Sequence, residues 1–128
     1  MSLNAYQRAR SIVESPRATE FRLMSQITGD MMQARESGLT GAALVPVLHR
    51  NREVWSVFSS ACGAIGNELP DQLRASIISI ALWVDRFTSD VIAGRDTIDA
   101  LIEVNRSITE GLSPAMHQSR MAPHAEAA

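Results

Sequence analysis

Apolar residues recur along this chain at spacings of three and four, and no segment sustains an alternation of two. That is the period of helices, so an all-α chain is predicted. A first helix is expected from Asn4, a good N-cap, to about Glu14, with Tyr6, Ala9 and Val13 on one face. Ser15-Pro16 closes it, because the residue before a proline is pushed out of the α region. Pro16 then opens a second helix that runs to about Ser37. Its apolar stripe is Phe21, Met24, Ile27, Met31 and Ala34, and Gly38 supplies a left-handed position after its end. A third helix starts near Thr40 or Val45 and ends near Cys62, with Leu44, Leu48, Trp55, Phe58 and Cys62 on one stripe. Pro46 either opens this helix or kinks its first turn.

The fourth helix has the clearest pattern. Leu69-Pro70-Asp71 opens it, and Leu73, Ile77, Ile80, Val84, Phe87 and Val91 form a heptad-like seam that ends at Gly94. Ile78, Ala81, Leu82 and Trp83 widen its apolar surface, a pattern expected of a central helix packed on more than one side. A fifth helix is expected from Asp96 or Thr97 to Gly111, with Ile98, Leu101, Ile102, Ile108 and Leu112 inward. After Ser113 the periodicity stops. The expectation is therefore one bundle of about five helices over residues 1–112 and a disordered tail over 113–128.

A length of 128 residues suits one domain, and 45% apolar with 20% charged residues is an ordinary globular balance. The net charge of -2 argues against a basic face for nucleic acid. No apolar run is long enough for a transmembrane helix, and the N-terminal residues lack the apolar core of a signal peptide. The lone Cys62 has no intramolecular disulfide partner, which fits a reducing cytoplasm. All twelve basic residues are arginine. The absence of lysine excludes Schiff-base chemistry, a P-loop lysine and a lysine general base.

Little catalytic chemistry is visible. The histidines are His49 on the third helix and His117 and His124 in the tail, and no zinc, phosphate-loop or nucleophile-elbow motif occurs. Neither a metal nor a cofactor is expected. Asp96, Asp99 and Glu103 suit the electropositive start of the fifth helix better than acid–base work. Cys62 reads as a small buried hydrophobe. Met24, Met31 and Met32 cluster on the second helix, as gap fillers of a core or as the lining of an adaptable apolar surface. Two amides stand out. Asn51 and Asn105 sit at stripe positions, where an unpaired amide costs ~1–3 kcal/mol. They either hydrogen-bond between helices and set register, or Asn51 with Arg52 and Trp55 presents an amide beside an indole to a partner.

Four motifs in order then resemble one family. They are Asn4-Ala5-Tyr6-Gln7; His49-Arg50-Asn51-Arg52-Glu53-Val54-Trp55; Leu69-Pro70-Asp71-Gln72-Leu73-Arg74-Ala75; and Leu101-Ile102-Glu103-Val104-Asn105-Arg106-Ser107-Ile108-Thr109-Glu110-Gly111-Leu112. Over about Asn4 to Leu112 the chain is similar to the FlaF family, flagellar biosynthesis proteins of alphaproteobacteria. The family's recurrent Asn-Arg-x-x-Trp falls on Asn51, Arg52 and Trp55, and its asparagine before the final Gly-Leu on Asn105. The resemblance implies a cytoplasmic factor needed for flagellin synthesis and export. It implies action on flagellin as a secretion chaperone, opposite a second regulator, FlbT, and it implies no enzymatic activity.

Flagellin's amphipathic ends need shelter until they polymerise, and a small bundle can lay such a stripe into a groove between two helices. The expected lining is Tyr6, Met24, Met31, Trp55 and Trp83, with Arg52 and Arg86 at the rim. The rival reading regulates flagellin translation through FlbT, without direct contact to nucleic acid. A homodimer face on the fourth helix is a further expectation from its wide apolar surface.

Overall fold

The structure, a computed structural model, describes residues 16–112 apart from Ile65 and Asn67. These residues form four α-helices and one short 3-10 turn, and there is no strand among them. Helix α1 spans Pro16–Glu36, α2 Val45–Cys62, α3 Asp71–Ile92 and α4 Asp99–Leu112, with the 3-10 turn at Gly41–Leu44 just before α2. The expected first helix, its Tyr6 and the tail from Ser113 lie outside the described residues.

The helix ends follow local chemistry. Gly38 has φ 73° after α1, and Gly94 has φ 79° after α3. At the first, Gly38 N–H donates to Arg35 O and Leu39 N–H to Ala34 O; at the second, Gly94 N–H donates to Val91 O and Arg95 N–H to Asp90 O. Both are complete Schellman closures, which need a residue tolerant of positive φ. Pro46 stands in the first turn of α2 and so opens that helix rather than kinking it. Pro70 is the cap residue before α3. Helix α4 begins at Asp99, later than its acidic lead-in suggests, because Ile98 O is the first acceptor, taking the Leu101 and Ile102 N–H groups.

The core is built from one face of each helix. Met24, Ile27 and Met31 of α1 meet Leu48, Trp55 and Phe58 of α2, Ile77, Val84 and Val91 of α3, and Leu101 and Ile102 of α4. Trp55 and Phe58 make a tilted ring pair at 5.9 Å. Helix α2 packs most closely on α3, and α1 packs on both α4 and α2. Helix α3 touches α4 only slightly. So α3 is not the central helix its wide apolar surface suggested. It lies at the side of the bundle, and Ile78 and Leu82 remain exposed.

Arginines tie the layers together. Arg35 of α1 meets Asp99 at the start of α4 at 3.0 Å, and Arg50 of α2 meets Asp30 of α1 at 2.8 Å. Arg52 of α2 reaches Asp85 of α3 at 3.2 Å. Arg74, in the first turn of α3, pairs with Asp71 and donates to Cys62 O at 3.2 Å, covering the carbonyl end of α2. The planar guanidinium serves carboxylate and backbone oxygen at once, which a lysine ammonium does less well.

Candidate functional site

Asn51 and Asn105 are both fully buried, with 0% exposure. Trp55 Nε1–H donates to Asn105 Oδ1 at 2.8 Å, and Asn105 Nδ2–H donates to Asn51 Oδ1 at 2.8 Å. Asn51 Nδ2 finds no acceptor among the described residues. The two amides thus act as the interhelical pair that stripe spacing allowed, fixing α4 against α2. They offer no surface to a partner as folded.

Met24 and Met31 are likewise interior, at 1% and 0% exposure, so they fill the core and do not line a groove. The cause is position: both lie on the α1 face that Ile27 and Ala34 also occupy, and that face points at α2 and α4. Trp55 is buried too, although it borders the groove described below. Trp83 is half-buried and stacks on Phe87 at 4.7 Å, one turn apart on α3. Helical spacing puts this pair on the flank of α3 opposite Ile78. Trp83 is therefore not in the same trough as Trp55.

What remains accessible is a shallow groove of about 200 Å³ between α2 and α3. Trp55, Ala81 and Val84 contribute its floor, Ser56 and Ser59 one wall, and Ile78 and Leu82 the other. Arg52 and Asp85 close one end. Leu82 is 61% exposed, a large aliphatic side chain left in water. Arg52 belongs to the scaffold of this groove more than to a free rim. Its Nη2 donates to Asp85 O at 2.6 Å and to Ser89 Oγ at 2.7 Å, while its Nε faces the Asp85 carboxylate. Arg86 is exposed one turn beyond Leu82. A second hollow of about 370 Å³ lies between α1 and the start of α2, lined by Ala34, Leu39, Pro46 and Val47 and edged by the Asp30–Arg50 pair. Sequence reasoning missed it, although Leu39 beside Gly38 is an apolar residue outside every helical stripe.

Other chemistry is modest. Burial raises the Cys62 thiol above its ordinary pKa, Glu20 adds to the rise and Arg74 opposes it. Cys62 is buried and free, as a small hydrophobe of the core. No group of three His, Cys, Asp or Glu residues suited to a metal occurs among the described residues. No helix among them is long and apolar enough to cross a membrane.

The described residues thus form a small helical bundle with an apolar groove on one side, amides buried between helices and arginine struts across them. Its family follows from comparison: the model described as flagellar protein FlaF matches residues 2–112, and the chain belongs to that family. Neither a curated protein nor a solved structure matches it.

Proposed function

We propose that this FlaF-family protein binds flagellin in the cytoplasm and supports its synthesis and export as a secretion chaperone. The observation that carries the reading is the α2–α3 groove, with an apolar floor and Ile78 and Leu82 left uncovered at its edge. Aliphatic side chains set four apart on a helix are suited to anchor a second amphipathic helix. The unfolded partner orders only on binding, at a cost of ~2–5 kcal/mol, which keeps the complex releasable for export. The shallow groove fits that regime, since it receives an anchor side chain and does not enclose a whole helix.

The test is size-exclusion chromatography of the protein alone and mixed with purified flagellin monomer, repeated with Ser56→Trp to fill the groove. A co-eluting complex that the tryptophan weakens supports the proposal. A complex indifferent to Ser56→Trp moves the contact to another surface. In a parallel run, a complex with purified FlbT where flagellin gives none replaces chaperoning by regulation through FlbT, and a larger species from the protein alone that Ser56→Trp disrupts makes the groove a homodimer face.

A further inference from the structure

Helix α3 carries five charged residues, Asp71, Arg74, Asp85, Arg86 and Asp90. Each of the three carboxylates already has an arginine: Asp71 has Arg74, Asp85 has Arg52, and Asp90 has Arg95. Of these five, only Arg86 has no ion pair with another described residue. It is exposed, and it stands four residues after Leu82, which itself stands four after Ile78. Residues four apart form one ridge on a helix surface. The outer ridge of α3 therefore reads aliphatic, aliphatic, cation, with the groove beside its first two members.

Resting on the reading above, we infer that this ridge selects and orients its occupant. The partner is an amphipathic helix with an apolar anchor seated between Leu82 and the Ser56–Ser59 wall. A carboxylate one turn further along that helix pairs with Arg86. Charge complementarity decides the sign: the acids near the ridge are already engaged by Arg52, Arg74 and Arg95, so an incoming acid meets an uncommitted guanidinium, and an incoming base at that point meets repulsion. Arg52 serves the scaffold, since its Nη2 is held by Asp85 O and Ser89 Oγ and its Nε faces the Asp85 carboxylate, so Arg86 is the cation assigned to the occupant.

The experiment measures the Kd of the full chain for purified flagellin monomer, at low and high salt, for the wild type, Leu82→Ser, Arg86→Glu and Arg106→Glu. Arg106 is an exposed α4 residue that carries the same charge change elsewhere. Arg86 and Leu82 are exposed, so all variants are expected to fold, which circular dichroism verifies. The expected result is that Arg86→Glu weakens binding roughly five- to tenfold at low salt while Arg106→Glu changes it less than about twofold. The gap should shrink near ~1 M salt, where screening acts over about 3 Å. Equal effects of the two reversals, or none from Arg86→Glu, overturn the pairing. If Leu82→Ser still weakens binding in that case, groove binding itself stands. If wild-type protein shows no affinity for flagellin, the pairing and the proposed function fall together.

Discussion

One side chain, Asn105, joins Trp55 and Asn51 of α2 to α4: its carbonyl oxygen accepts the indole N–H at 2.8 Å and its amide donates to Asn51 at 2.8 Å. Asn105→Ala removes both bonds and strands the indole N–H and the Asn51 oxygen away from water. Each stranded group costs ~1–3 kcal/mol, so we expect a loss of about 2–6 kcal/mol in urea unfolding followed by tryptophan fluorescence. Because Trp55 loses its hydrogen-bond partner, its native emission should shift as well.

Asn51→Ala should cost less than Asn105→Ala. It leaves only the Asn105 amide unpaired, keeps the Trp55–Asn105 bond, and removes an Nδ2 group that already lacks an acceptor among the described residues. The double variant should be less destabilised than the two single losses combined, by roughly 1 kcal/mol. Simple additivity in that cycle would mean that the two amides do not act as a pair.

Much of this arrangement was legible in the sequence, and the limits have physical causes. The period of three and four placed α1 to α3 within a few residues, because helix ends are set by local chemistry such as Pro46 at an entry and Gly38 and Gly94 at exits. The two asparagines at stripe positions allowed either an interhelical pair or an amide offered to a partner, and only the packing of α4 on α2 selects the pair. The start of α4 was less visible, because the capping carbonyl belongs to Ile98 and a backbone acceptor carries no side-chain signature. Groove residues were harder still. Periodicity tells which face of a helix is apolar, not whether a neighbour covers it. Met24 and Met31 therefore looked like lining until α2 and α4 were seen to bury them, while Leu82 looked like the flank of a central helix until α3 proved peripheral.

The left-handed helix exits make a clean conformational test. A Cβ at Gly94 meets nothing within 4 Å, so Gly94→Ala costs only the positive φ of 79°. About 1–2 kcal/mol is expected by thermal or urea unfolding. Gly29→Ala has the same free space inside α1 without a positive φ, and should stabilise by up to about 1 kcal/mol.

Alkaline stability should depend on Cys62. Its thiol pKa is raised in the folded protein, first by burial and then by Glu20. The folded state thus holds this proton more tightly than the unfolded state does. The associated stability is full below the ordinary value of 9.0 and falls as pH rises from there toward the higher folded value. Cys62→Ala should lose some stability at pH 7 through the smaller side chain, yet show a flatter decline at alkaline pH. A decline as steep as the wild type's would assign the pH dependence to other groups.

Leu82 and Met31 should separate binding from folding. Met31 is wholly interior, so Met31→Ala opens a cavity and should cost about 2–5 kcal/mol. Leu82 is 61% exposed, so Leu82→Ser should leave stability within about 0.5 kcal/mol. Selection for folding alone does not require a leucine there, whereas an anchor site for a second helix does. The expected pattern is a double dissociation. Met31→Ala lowers the unfolding midpoint while surviving folded protein still binds flagellin with near wild-type affinity. Leu82→Ser unfolds at the wild-type midpoint and binds more weakly. Loss of stability in Leu82→Ser would show that its contacts on the flank of α3 matter to the fold, and the case for an open docking ridge would go with it.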